Sequence, residues 1–283
     1  MSQQDRPNDE AVSRTISIDG NSRIHYYEVG NRQNPPLLWL HGGTIEMGKT
    51  SLRDASFLAD HYFVIVPDIR GYGESSGANS VDGHSIPNKA KDIGRLISRI
   101  SDNPVAICGT SLGSAVALRL AIAEPHKVSR IVAMSPIPFA TPTIDREWWL
   151  KNRYLVEQNQ IEEFVLESIR FRTKVDMRDK LGTSKTIQNY ILGFKMRTQQ
   201  DLLCRIEEGY SRKDWVNECS AIQCEVLIIS GEEDNFPTPS QCATLKEKLN
   251  KSKLQIITQA GHFPIQSHKK LVQEMILDYL AKI

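Results

Sequence analysis

The sequence has no long uncharged apolar run and almost no excess of charge of either sign. The longest stretch without Asp, Glu, Lys or Arg covers residues 103–118 and contains Pro, Gly and Ser, whereas a membrane-spanning helix needs about 20 mainly apolar residues. The 35 Lys and Arg residues are nearly balanced by 34 Asp and Glu residues, which gives a net charge of +1. The chain therefore lacks the excess of basic residues that is typical of nucleic-acid-binding proteins. We therefore expect no membrane association and no nucleic-acid partner.

The cysteines and the first residues of the chain argue against two further classes of protein. The five cysteines are odd in number and form no C-x-x-C pair, so the sequence indicates neither a disulfide framework nor a zinc site. The opening residues, MSQQDRPNDEA, are polar and lack the apolar segment of a secretory signal. We expect a flexible tail over residues 1–12, a cytoplasmic location, and no metal or organic cofactor.

Short apolar runs alternate with helical patterns along most of the chain. Hydrophobic residues make up 40% of the sequence and charged residues 24%, as in soluble globular proteins. A hairpin is predicted around Asp19-Gly20-Asn21-Ser22, and the following runs predict parallel strands covered by helices on both faces. The predicted strands are 15–18, 23–29, 37–40, 62–66, 105–108, 130–134, 225–230 and 254–258, and the predicted helices are 52–60, 87–100, 111–123, 240–249 and 269–281.

The alternation of strands and helices is interrupted once. Residues 146–213 contain no Val- or Ile-rich strand run and have the pattern of several amphipathic helices. The length of 283 residues is compatible with one large domain or two smaller ones, and the single interruption favours one domain with an insertion. We predict an α/β fold with a mostly parallel eight-stranded sheet, a core of residues 13–140 and 214–283, and a helical cap of residues 141–213 inserted after the sixth strand.

A G-x-S-x-G pattern, Gly109-Thr110-Ser111-Leu112-Gly113, lies between a predicted strand and a predicted helix. A tight strand-to-helix turn needs small residues on both sides of the Ser, because the backbone is crowded there, and it exposes the hydroxyl at the sheet edge. The start of the helix also offers free N–H groups to developing negative charge. Ser111 is therefore a candidate nucleophile, although a Gly-Ser turn that only caps a helix has the same pattern.

A serine needs a base and an orienting carboxylate before it can act as a nucleophile. His262 follows the last predicted strand, and Asp234 follows the strand before it. Both positions are at carboxyl ends of strands, where an open α/β sheet places its ligand crevice. We predict a catalytic triad of Ser111, His262 and Asp234.

The three predicted triad residues follow one another along the chain in the order Ser, Asp, His. In this order the sequence resembles the α/β-hydrolase superfamily, in particular its esterase-like members with a helical cap. The resemblance covers residues 15–283. His41-Gly42-Gly43 resembles the H-G-x oxyanion loop of that family, which implies an oxyanion hole formed by the backbone N–H groups of Gly43 and Leu112.

A second segment, PDIRGYGES of residues 67–75, resembles the D-x-R-G-x-G-x-S loop of the same family. That loop is structural, so the resemblance implies that Asp68 and Arg70 take no part in catalysis.

Other carboxylates are alternatives to Asp234 as the acid of the predicted triad. Glu232 and Glu233 directly precede Asp234, but the family pattern places the acid three positions after Gly231, which favours Asp234. Some relatives carry the acid after the sixth strand instead, where Asp145 is the nearest carboxylate. The histidines outside the motifs are expected to be surface or core residues; they are His25, His61, His84, His126 and His268.

The predicted insertion is more basic than the rest of the chain. Residues 146–213 contain 14 Lys and Arg residues and 10 Asp and Glu residues, a net charge of +4, which leaves −3 for the remainder of a chain of net charge +1. A basic segment above the cleft favours an anionic small-molecule substrate. A solvated basic helix face would have the same composition. The sequence indicates no oligomeric state.

The resemblance implies acyl transfer. Ser111 would attack the carbonyl of a small ester, lactone or thioester while His262 accepts its proton, and no cofactor is needed. Hydrolysis of a C–C bond and cofactor-free oxygenation are alternatives, because both occur among relatives with this scaffold. A third interpretation is a ligand receptor that turns over slowly or not at all, since a fold does not determine a function.

Overall fold

The computed structural model describes residues 11–19, 22–43, 47–141, 146–173 and 185–281. Eight strands form one sheet in the order β1-β2-β4-β3-β5-β6-β7-β8. β2 pairs antiparallel with β1 and β4, and all other neighbours are parallel. The predicted α/β class with a mostly parallel eight-stranded sheet is confirmed. The strands are β1 (Val12–Asp19), β2 (Ser22–Val29), β3 (Pro36–Leu40), β4 (Phe63–Pro67), β5 (Val105–Thr110), β6 (Val128–Met134), β7 (Glu225–Gly231) and β8 (Ser252–Ile257).

The helices begin where the sequence supplies caps. Ser85 accepts a hydrogen bond from the Asn88 N–H at the start of α2, and Thr238 and Gln241 form a capping box at the start of α8. In the described part of the chain no helix is both long and apolar enough to cross a bilayer. The helices are α1 (Gly48–Ala55), α2 (Ile86–Ile100), α3 (Leu112–Ala123), α4 (Arg146–Glu157), α5 (Ile161–Thr173), α6 (Lys185–Lys195), α7 (Gln199–Ser211), α8 (Pro239–Lys248), α9 (Pro264–Ser267) and α10 (Lys269–Leu280).

The hydrophobic core lies on both faces of the sheet, because the central strands are apolar on both sides. One layer includes Ile93 of α2, Val116 of α3 and Leu245 of α8. The opposite layer includes Leu52 of α1 and Ile276 of α10. The sheet is thereby fixed between two helical layers, and the carboxyl ends of its parallel strands meet at one edge.

The helices α4 to α7, here called the inserted helices, lie between β6 and β7 in the chain. They have an apolar cluster of their own, which includes Phe164, Tyr190 and Ile206. Met47, which precedes α1, belongs to the same cluster. The inserted helices are therefore packed among themselves and also anchored on the core.

Polar contacts attach α7 to the segment that follows β4. The guanidinium of Arg197, just before α7, donates hydrogen bonds to the carbonyl oxygens of Tyr72 (3.1 Å), Ser75 (2.8 Å) and Gly73. In α7, the Asp201 carboxylate accepts a hydrogen bond from the Ala78 N–H at 2.7 Å. These contacts fix one side of the inserted helices against residues 71–78.

Two elements differ from their predicted bounds by three residues or more. β1 begins at Val12, three residues early, because the antiparallel ladder with β2 continues to the Val12–Glu28 pair. The helix predicted at 52–60 begins at Gly48, whose N–H donates to the Asp68 carboxylate at 2.7 Å, and ends at Ala55. Both differences come from partners distant in the sequence. Residues 1–10, and Gly20 and Asn21 of the predicted turn, lie outside the described residues.

Candidate active site

Ser111 lies on a sharp turn between β5 and α3. Its φ of 50° and ψ of −108° are strained values for a residue with a side chain. The Ser111 N–H donates to Met134 O at 2.8 Å, and the Ser114 hydroxyl bridges Gly109 O (2.6 Å) and Met134 O (2.9 Å). Strain that the surroundings hold in place in this way is concentrated at functional sites.

The second glycine of the motif leaves no space for a side chain. A Cβ atom on Gly113 would lie 2.6 Å from the Leu40 carbonyl carbon and 2.7 Å from His41 O. We expect Gly113→Ala to lower the free energy of unfolding by about 1–3 kcal/mol, the usual cost of overpacking, in urea denaturation. Gly261→Ala is the matched control, because a Cβ there would meet nothing within 4 Å. Equal unfolding midpoints for the two variants would contradict this expectation.

Asp234 and His262 are in contact although 28 positions separate them. The His262 Nδ1 atom lies 3.0 Å from Asp234 Oδ2 and 3.1 Å from Oδ1. Each residue is about 5% exposed. Glu232 and Glu233, the neighbouring carboxylates, are exposed, and Asp145 lies outside the described residues. The geometry therefore favours Asp234 as the partner of the imidazole.

The surroundings of Asp234 stabilise its ionised form. Burial alone would raise the pKa of this carboxyl, but the adjacent His262 ring, the Ser135 hydroxyl and the Phe236 N–H outweigh burial and hold the pKa below its usual range. An ionised Asp234 accepts a hydrogen bond from His262 Nδ1. The other ring nitrogen, Nε2, is then the proton acceptor, which is the tautomer that a general base requires.

The structure does not join Ser111 to this pair by a hydrogen bond. Among the described residues, no hydrogen bond links the Ser111 hydroxyl with the His262 ring. Both residues are nevertheless attached to the end of β6, since the Ser111 N–H donates to Met134 O at 2.8 Å and the Ser135 hydroxyl donates to His262 O at 3.0 Å. Such catalytic contacts are often long without substrate. One of the two side-chain contacts of the predicted triad is thus present, and the triad stays a prediction.

Gly43 and Leu112, the two residues of the predicted oxyanion hole, are neighbours in the structure. A Cβ atom on Gly43 would lie 3.4 Å from the Leu112 Cβ. Leu112 is the first residue of α3, so its N–H has no partner within the helix. Within the described chain, neither N–H group donates to another protein group. Two unused donors beside Ser111 can serve an oxyanion, which stays a prediction.

His41 holds the segment that carries Gly43. The Ile69 N–H donates to His41 Nε2 at 3.0 Å, so the ring proton is on Nδ1, which donates to Gly42 O at 2.6 Å. Burial lowers the pKa of His41 to about 4. The ring is therefore neutral at physiological pH and fixes the segment without adding charge to the site.

Asp68 and Arg70 have structural partners. The Asp68 carboxylate accepts hydrogen bonds from the N–H groups of Gly48 (2.7 Å) and Glu74 (2.9 Å) and lies 2.7 Å from His25 Nδ1. The Arg70 guanidinium forms a bidentate pair with Asp92 at 2.6 and 2.7 Å. Both residues connect parts of the core, as their motif implies.

A narrow cavity with a volume of about 50 Å³ adjoins Ser111. The core contributes Gly43 and Leu112 to its wall, and the inserted helices contribute Trp148 and Phe164. Asp234 and His262 are not among the described residues of the wall. Its wall combines apolar side chains with a few polar and charged ones, as the walls of small-molecule sites do.

Lys89 also lines this cavity, although it belongs to none of the motifs in the sequence. A signal was present: Lys89 falls within the buried stripe of α2, between Ile86 and the pair Ala90 and Ile93. A lysine at such a position is either paired or functional more often than an exposed lysine is.

In the described part of the chain, no group of three or more His, Cys, Asp or Glu side chains could hold a metal ion. All five cysteines are free thiols.

Comparisons with known proteins agree with this architecture. A family model described as the alpha/beta hydrolase fold matches residues 35–268. The chain is 32% identical over 123 residues to the hydrolase YraK of Bacillus subtilis, a match that covers 44% of each protein. It is 24% identical over 249 residues to a pimeloyl-[acyl-carrier protein] methyl ester esterase of Nitrosospira multiformis, covering 87% of this chain and 94% of that protein. The solved structure of an esterase from Exiguobacterium antarcticum superimposes with a TM-score of 0.80 at 17% identity, over 96% of this chain and all of the other.

Proposed function

Because this chain belongs to the family of the alpha/beta hydrolase fold, we propose that it is a serine hydrolase that cleaves a small ester, lactone or thioester. The observation that supports this most strongly is the strained turn that presents Ser111 to a cavity. The Asp234–His262 pair at the ends of neighbouring strands supplies the second part of the proposed machinery.

The reaction begins with attack of Ser111 Oγ on the acyl carbonyl while His262 Nε2 accepts its proton. Ionised Asp234 orients the ring and stabilises its charged form. The N–H groups of Gly43 and Leu112 stabilise the oxyanion, each contributing about a hundred- to a thousandfold in rate. His262 then protonates the leaving group, and a water molecule that it deprotonates releases the acid from Ser111.

The inserted helices belong to this proposal as a cap. Trp148, Phe164 and Arg205 come from α4, α5 and α7 and form part of the cavity wall. We propose that residues 141–213 cover the reacting carbonyl and restrict the site to small molecules. Two of the proteins similar to this chain are described as esterases, which supports an ester-type bond as the one cleaved.

The nucleophile can be tested by covalent labelling. A fluorophosphonate probe is expected to label the protein with a stoichiometry near one, and Ser111→Ala is expected to abolish labelling together with hydrolysis of short-chain nitrophenyl esters. Ser240→Ala is the control, because Ser240 is exposed on α8, away from the cavity. Absence of labelling in the unmodified protein, or unchanged labelling of Ser111→Ala, would refute the proposed nucleophile.

A further inference from the structure

Lys89 occupies an unfavourable position for a cation. It is 1% exposed, and its Nζ atom has no hydrogen-bond partner among the residues that the structure describes. An unpaired ammonium group in a protein interior loses its hydration without compensation. Since the side chain lines the cavity beside Ser111, a bound molecule could supply the missing partner.

The neighbours of Lys89 add to the free-energy cost of keeping its ammonium group charged in the interior. Lys89 is in the first turns of α2, which begins at Ile86, and the N-terminal end of a helix carries partial positive charge. Two further cations, Arg205 and Arg212, line the same cavity, against one carboxylate, Glu208. With Lys89 charged, the formal charges of these four groups add up to +2. Glu208 attracts the Lys89 ammonium group, but burial and the neighbouring arginines outweigh this attraction.

The other charged groups of the cavity are already engaged. Arg212 and Glu208 form a bidentate pair with distances of 2.8 and 3.3 Å. The Arg205 guanidinium lies over the rings of Tyr72 (4.4 Å) and Phe194 (4.7 Å), and it donates to a backbone carbonyl oxygen at 3.1 Å. Among the described residues of this wall, Lys89 is the charged side chain that has an orphaned polar atom.

We propose that the cavity is a subsite for a carboxylate group of the substrate, which Lys89 binds while Ser111 attacks a carbonyl elsewhere in the same molecule. This inference rests on the proposed function and names its substrate class: monoanionic half-esters or acyl compounds of short dicarboxylic acids. Lys89 supplies one unengaged charge to a wall that also includes Trp148, Trp149 and Phe164. Such a wall fits one carboxylate on a short apolar chain better than it fits a doubly charged phosphate.

Paired substrates test the subsite. Monomethyl glutarate carries the carboxylate, and methyl valerate is a neutral ester of similar length. We expect Lys89→Met to lower the ratio of kcat/KM for the half-ester to that for the neutral ester by about 10- to 100-fold, which corresponds to loss of one charge-assisted hydrogen bond. The control is Lys91→Met, which removes an exposed lysine from the same helix and should leave the ratio unchanged. An unchanged ratio in Lys89→Met would overturn the subsite.

A binding measurement separates this inference from the proposed function. In isothermal titration, Ser111→Ala is expected to bind monomethyl glutarate, and the double variant with Lys89→Met is expected to bind it at least tenfold more weakly. Lys89-dependent binding without ester turnover would refute the proposed hydrolase but not the subsite. Ester turnover without Lys89-dependent binding would refute the subsite but not the hydrolase. Tighter binding of inorganic phosphate than of monomethyl glutarate would overturn the choice of a carboxylate.

The pH dependence of the same ratio gives an independent readout. Burial, together with Arg212, Arg205 and Arg70, outweighs the attraction of Glu208 and lowers the pKa of Lys89 to about 8. Lys89 is charged below this pH, so the preference for the half-ester should fall as the pH rises through about 8. Titration of the catalytic base acts on both esters and cancels in the ratio. A ratio that is flat from pH 6 to pH 10 would contradict the role of Lys89.

Discussion

Asp234→Asn is expected to reduce kcat for ester hydrolysis by about four orders of magnitude while the protein stays folded. An amide at this position no longer favours the His262 tautomer with its proton on Nδ1, and it cannot stabilise the ring when it becomes charged. The pair is buried and joined at 3.0 Å, so solvent cannot replace the lost carboxylate. The measurement is kcat for a short-chain nitrophenyl ester, with circular dichroism as the check on folding.

Glu233→Gln is the matched control for this substitution. It removes the same charge from the adjacent residue, whose side chain is exposed, and should change kcat by less than about twofold because exposed charges interact weakly. If Glu233→Gln were the damaging change and Asp234→Asn the harmless one, the acid of the proposed triad would be misassigned.

Asp68→Ala is expected to lower the free energy of unfolding by about 3–5 kcal/mol, the range for breaking a buried, hydrogen-bonded charge network. The substitution leaves the N–H groups of Gly48 and Glu74 and the His25 ring without their acceptor. Urea denaturation measures the loss. Asp102→Ala, at an exposed position, is the control and should stay within about 0.5 kcal/mol of the unmodified protein.

The loss of stability at acidic pH should depend on the same Asp68 carboxylate. Burial would raise the pKa of Asp68, but the hydrogen bonds from His25, Glu74 and Gly48 and the nearby His41 ring outweigh burial and lower the pKa. A lowered pKa means that the stabilisation is complete above the unfolded value of about 4 and is lost as the pH falls below it. Between pH 5 and pH 3, Asp68→Ala should therefore lose less stability than the unmodified protein does. Parallel acid-induced losses in the two proteins would argue against this network.

The class of the fold could be predicted from sequence because it depends on local periodicity. The apolar runs of the central strands and the caps at Ser85 and Thr238 are local signals. The start of α1 could not be predicted, since it depends on a hydrogen bond between Gly48 and Asp68, which are 20 positions apart.

The candidate site likewise has one part that could be predicted from sequence and one part that could not. The rule that strands of a parallel sheet end at one edge was enough to predict that Asp234 and His262 meet, and the structure shows their contact. The contact of Ser111 with this pair stays a prediction. The pattern of α2 marks Lys89 as buried, but it does not show which charged groups surround it. These include Arg205, Glu208 and Arg212, more than 110 positions away in the chain.

The attachment of Arg197 and Asp201 to residues 71–78 has a consequence for protein engineering and for recombination between homologous genes. An exchange of residues 141–213 alone would separate these side chains from a backbone whose course depends on Gly71 and Gly73, both at positive φ. Most other residue types resist that conformation. The segment that can be transplanted as a unit is therefore discontinuous, and a functional chimera needs residues 71–78 from the same parent as the inserted helices.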